Sequence, residues 1–108
     1  MLLDIDKVQL QRLLKARGMP IEQVLWSNHQ VGALFHVTTA SGTIYLFEMA
    51  EIDPTRIHVV RGRQEGERRR VGYLGNYTVI SKRIEVGAIV HCEEMATSPI
   101  ERITLLSS

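Results

Sequence analysis

One cysteine, Cys92, stands in 108 residues, so no disulfide can close within the chain. A lone thiol fits a reducing compartment, and a cytoplasmic location is the expectation. Aromatic residues are scarce, with one Trp, two Phe and three Tyr, so the core has to be mainly aliphatic. No apolar run approaches the roughly 20 residues that cross a bilayer as a helix. The opening MLLDIDKVQL meets an aspartate at its fourth residue and offers no apolar signal core. A membrane partner is therefore not expected. Asn76-Tyr77-Thr78 has the form of a glycosylation acceptor but no secretion signal to give it meaning.

Chemical motifs are equally sparse. The four histidines, His29, His36, His58 and His91, include no pair at i, i+2 or i, i+4 and no metal motif, so neither metal nor cofactor is expected. His36 and Glu48 could share one face of a hairpin, but a metal there would need a third ligand from elsewhere. His91 and Cys92 are neighbours, which on a strand point to opposite faces, so the histidine is badly placed to activate the thiol. Cys92 reads as a buried structural residue. Glu93-Glu94, with Glu85, reads as exposed charge rather than an acid–base pair. Gly72-x-x-Gly75 lacks the lysine and following helix of a phosphate loop, and there is no nucleophile elbow. No catalytic constellation emerges, so the expectation is a protein that is not an enzyme.

What is present is an ordinary globular composition, 44% hydrophobic and 23% charged. The length fits a single domain over residues 1–108, able to bury roughly 65% of its unfolded surface. The formal charge of +1 hides an asymmetry. Residues 61–83 hold seven basic side chains against two acidic ones, a net of +5, whereas the rest holds six basic and ten acidic, a net of −4.

The patterning yields one clear helix over about 4–17. Leu10, Leu13, Leu14 and Arg17 recur at helical spacing. Asp4 or Asp6 caps the start, Lys15 and Arg17 suit the last turn, and Gly18 fits the left-handed residue beyond the end. Residues 19–26 read as a short helix or an irregular connector. The β-rich region, about 31–107, opens with a hairpin around Ala40-Ser41-Gly42. A three-residue loop with Gly42 left-handed sets Phe35 against Phe47 and Val37 against Tyr45. Asp53-Pro54-Thr55 reads as a turn, 56–60 as a strand, 61–70 as a loop, and 71–80 as a second hairpin turning on Gly75-Asn76. Residues 84–92 alternate as a half-buried strand. Ser98-Pro99-Ile100-Glu101 resembles a capping box, but the β-branched residues beyond it favour a final strand over 97–106. The expected fold class is α+β: an N-terminal helix packed on a strongly bent antiparallel sheet, or a small β-barrel, of five to seven short strands.

Two functional readings follow, with a third behind them. The favoured one is a non-enzymatic binding or interaction module for an unknown ligand, self-associating as a homodimer. If Phe35 and Phe47 face the helix, then Leu34, Ile44 and Leu46 on the other face need cover. The alternative is single-stranded nucleic-acid or other polyanion binding by the basic segment. Arg61, Arg63, Arg68, Arg69, Arg70, Lys82 and Arg83 would meet phosphates while Tyr73 and Tyr77 offer stacking platforms. Glu65 and Glu67 lie within that run and oppose phosphate, and the same arginines would also suit an acidic protein partner. The third reading is a small-molecule pocket inside the bent sheet, using His36, His58 or His91 as polar groups.

Overall fold

The computed structural model describes residues 2, 5–51, 56–63, 72–81 and 83–107. Its elements are α1 (Lys7–Lys15), β1 (Met19–Ile21), a 3-10 turn (Trp26–Asn28), β2 (Leu34–Thr39), β3 (Thr43–Glu51), β4 (Arg56–Arg63), β5 (Gly72–Thr78) and β6 (Ile100–Ser107). The six strands form one antiparallel sheet in the order β1-β6-β2-β3-β4-β5. Among the described residues, β1 and β5 are its edges. The α+β expectation is thus met by an open sheet with an N-terminal helix, not by a closed barrel.

The helix begins where a capping box can form. The Gln9 N–H donates to Asp6 Oδ1 (2.8 Å), and the Asp6 N–H donates to Gln9 Oε1 (3.3 Å). It ends sooner than its apolar spacing predicts, because Ala16 turns extended and donates its N–H to the Leu13 carbonyl. Gly18 is not the left-handed cap expected of it. A Cβ there would overlap the Leu105 carbonyl oxygen, so glycine lets the chain press against β6. The residues expected as a short helix or connector contain β1 instead. Met19, Pro20 and Ile21 register with Leu105, Thr104 and Ile103, and Pro20, lacking an N–H, is tolerated because β1 is an edge.

The first hairpin takes the expected register, Phe35 opposite Phe47 and Val37 opposite Tyr45, with Gly42 at φ +81°. Hydroxyls pin its loop: Ser41 Oγ donates to Thr43 Oγ1 (3.2 Å) and Ser98 Oγ donates to Ser41 Oγ (3.1 Å). The turn expected at Asp53-Pro54-Thr55 lies outside the described residues.

Three expectations need correction. The basic stretch is not a loop from residue 61, because β4 continues through Arg63, opposite Tyr45, Ile44 and Thr43 of β3. Gly75-Asn76 is not a hairpin turn. Both residues lie within β5, opposite Val59 and His58, and Gly75 takes φ +131° where the β4–β5 register shifts. Residues 84–92 are not a strand, because Gly87 at φ +89° reverses the chain and Ala88 donates its N–H to the Glu85 carbonyl. The backbone groups of that segment go instead to separate elements, Ile84 accepting from Val24 and Ala88 from Ile100. Ile84, Val90 and Cys92 are nonetheless buried, but Val86 is exposed, so the alternation read burial correctly only towards the ends of the segment and read the backbone wrongly. The final strand forms as β6, held between β1 and β2.

The two sheet faces are covered by different parts of the chain. Phe35, Val37, Tyr45, Phe47, Ile57 and Ile103 form the main core with Val24, Val79, Ile84, Val90 and Cys92 from the irregular segments. Phe47 packs its ring against both Phe35 (5.4 Å, tilted) and Tyr45 (5.9 Å, stacked). The opposite face packs Ile44, Leu46 and Val60 against Leu10 and Leu14 of α1. The helix therefore covers the face expected to need a second subunit, and Phe35 and Phe47 face away from it.

Candidate functional site

The helix face carries more than its apolar cluster. Its rows run Thr104–His36–Leu46–Val60 and Arg102–Thr38–Ile44–Gly62 across β6, β2, β3 and β4. The leucines of α1 cover the β3–β4 end of these rows, and a Cβ at Gly62 would stand 2.5 Å from Leu14 Cδ1. The β6–β2 end is polar and only partly covered. Here the chain leaves α1 and crosses to β1, opening a cleft of about 410 Å3 lined by Lys15, Arg17, His36, Thr38, Arg102 and Thr104. Leu14, Pro20 and Ile44 supply apolar wall. Among the described residues its lining contains no carboxylate.

Each polar group has a stated reason for its position. Arg102 and Thr104 alternate with the buried Ile103 along β6, which turns them to the helix face. Lys15 and Arg17 stand at the C-terminal end of α1, where the helix dipole favours cations. That dipole amounts to about half a unit charge, so three cations leave a clear positive surplus. His36 is buried on the same face. Burial is the main influence holding its pKa below 6.5; a hydrogen bond to the Leu13 backbone opposes this, and the Arg102 charge adds to the lowering. Its Nε2 is buried without a protein partner.

A second polar group lies farther along the same face. Glu48 registers opposite His58, which registers opposite Asn76. His58 Nδ1 hydrogen-bonds Asn76 Oδ1, its Nε2 stands 3.8 Å from Glu48 Oε1, and the Leu2 N–H donates to Glu48 Oε1 (3.2 Å). These groups are engaged with one another and with the N-terminal segment. His36 and Glu48 do share the face, as expected, but among the described residues no three metal-ligating side chains come together. His91 lies elsewhere, exposed beside Ser81 and Arg83.

The basic segment is described in part. Arg61 and Arg63 sit in β4, Arg61 opposite Gly72 and Arg63 opposite Thr43. Tyr73 lies in β5 opposite Val60. Tyr77 is half-buried against the main core, and Arg83 ion-pairs with Glu85 on the surface. Arg68, Arg69, Arg70 and Lys82 lie outside the described residues. Cys92 is buried in the main core, and burial, with Glu93 next, pushes its thiol up to about 11.

Of the cleft residues, sequence patterning singled out only His36 as a candidate pocket group. Lys15 and Arg17 read as last-turn partners of the helix dipole, and Arg102 was not singled out within the final strand. Their convergence depends on β6 inserting between β1 and β2, a long-range pairing with no local signal. No family model matches the chain, and no curated protein or solved structure does so either.

Proposed function

We propose that this protein is a non-enzymatic binding module for a compact anion, held in the cleft between the end of α1 and the β6–β2 end of the sheet. The observation that carries this is the convergence of Lys15, Arg17 and Arg102 around one concavity without a carboxylate among its described lining. Thr38 and Thr104 add hydroxyls that orient an oxyanion, and the cleft volume falls within the range of small-molecule sites. Arginine supplies a fixed fork of donors for such a group. Calorimetric titration with inorganic phosphate at low ionic strength tests this. Binding is expected in wild type and weakened about tenfold or more by Arg102→Ala, the scale of one charge-assisted hydrogen bond. Absence of binding at millimolar phosphate in wild type rejects it.

A second reading keeps polyanion binding at the sheet edge. It is favoured by the placement of Arg61 and Arg63 in β4 beside β5, whose outer edge has no strand partner among the described residues. Single-stranded oligonucleotide affinity should then fall steeply with salt and collapse in the Arg68→Ala/Arg69→Ala/Arg70→Ala variant. Affinity indifferent to both would remove this reading. Homodimerisation through a sheet face loses its support, since both faces are covered by the chain itself. A second copy is better accommodated at the edge of β5. A cytoplasmic location belongs to the same proposal, resting on the single buried thiol.

A further inference from the structure

The cleft is larger than the inorganic anion its cations would attract. Lys15, Arg17 and Arg102 are exposed, line the same concavity and enter no ion pair among the described residues. A volume of about 410 Å3 holds roughly a dozen water-sized groups. A tetrahedral oxyanion fills well under half of that. The rest of the wall is not built for charge. Pro20 on β1 is exposed and contributes a rigid ring, and Ala16, half-buried at the exit from α1, contributes a methyl group. Leu14 and Ile44 are themselves buried and back this wall rather than form its surface. The methylene stems of Lys15, Arg17 and Arg102 add apolar surface beside their charged ends. Guanidinium groups also stack on flat rings, so an arginine can serve both halves of an amphipathic ligand. The charge count points to the head group. Three free cations, offset by about half a unit charge at the helix end, match a dianion better than a single carboxylate. Thr38 and Thr104, both half-buried in the cleft, add hydroxyl donors for its oxygens.

We infer that the cleft takes a phosphomonoester with a small, ring-sized apolar body, its phosphate on Lys15, Arg17 and Arg102 and its body against Pro20, Ala16 and the cationic stems. This rests on the anion site under Proposed function and names its ligand class. Inorganic phosphate satisfies the cations but leaves the apolar wall wet. A phosphodiester, including an internal nucleic-acid linkage, carries one charge on its phosphate and falls short of the cation count.

The test is calorimetric titration of the full wild-type chain at one ionic strength and about pH 8, where phosphate and its monoesters are chiefly dianions. The probes are inorganic phosphate, phenyl phosphate, benzoate and phenol. Phenyl phosphate should bind about tenfold tighter than phosphate, the gain from covering roughly half of an aromatic ring's apolar surface. Benzoate, with the ring but one charge, should bind more weakly than phenyl phosphate, and phenol, with the ring alone, should not bind measurably. In the phenyl phosphate complex, nuclear Overhauser effects should join the ligand ring protons to the Ala16 methyl group and the Pro20 ring. Phenyl phosphate binding no tighter than phosphate, or ring contacts away from Ala16 and Pro20, overturns the monoester assignment while leaving an anion site. Benzoate binding as tightly as phenyl phosphate overturns the dianionic head. Binding of neither phosphate nor phenyl phosphate overturns the anion site itself.

Discussion

The two faces of the sheet divide the molecule's tasks. On one face, fifteen buried apolar residues of the described chain form a continuous core around Phe35 and Phe47. On the other, six do so, and the remaining buried positions include His36, Glu48 and His58. Burying polar and titratable groups costs free energy unless they are partnered, and the buried His36 Nε2 has no protein partner. The apolar face therefore dominates stability, and the helix face gives up some stability for a polar cleft at its β6–β2 end. The contrast teaches that the sheet's more weakly packed face, not its largest core, is the place to look for chemistry.

The largest expected effect breaks the apolar face. Phe47→Ala removes a ring in contact with two others at a fully buried position and should cost about 3–5 kcal/mol in urea unfolding. A cost below about 1 kcal/mol would deny that this face holds the fold. Gly18→Ala acts at the junction of the faces, forcing α1 and β1 away from Leu105. It should cost about 1–3 kcal/mol, the scale of overpacking against backbone that cannot yield freely.

The next effect sharpens the helix face through pH. His36 in the folded chain takes up a proton less readily than the ordinary 6.5. The unfolded chain then binds the extra proton first, so the contribution is intact above about 6.5 and is lost as pH falls through the lower folded value. Urea midpoints measured from pH 7 down to 5 should decline, and His36→Phe should flatten the decline. An unchanged slope in that variant would place the pH dependence elsewhere. The smallest effect on stability belongs to Arg102→Ala. Its side chain is exposed and contacts the cleft rather than the core, so unfolding should shift by no more than about 0.5 kcal/mol. That near-silence, set beside its expected loss of phosphate binding, separates the two faces most clearly.

Much of this architecture was legible in the sequence where the signal is local. Asp6 and the leucine spacing placed the helix, Ala40-Ser41-Gly42 set the hairpin register, and the β-branched end gave β6. Three of the misreadings share one physical cause, which is that glycine has several uses. Gly75-Asn76 has the composition of a turn, yet pairing with β4 held it in a strand as a bulge, and Asn76 serves His58. Gly87 does make a turn, within a stretch whose alternation reads as a strand. Gly18 is small for packing, not for its φ. The cleft was least legible. The Lys15–Arg17 pair, His36 and Arg102 lie far apart in the chain, and only the insertion of β6 beside β2 brings them together.

The most direct test of this division is a phosphate titration followed by two-dimensional amide NMR of the uniformly labelled protein. The account predicts saturable shifts at residues 14–20, 36–38 and 102–104, with Ile57 and Val59 of the apolar face unmoved. Shifts centred instead on 61–63 and 72–73, or shifts that never saturate, would contradict it.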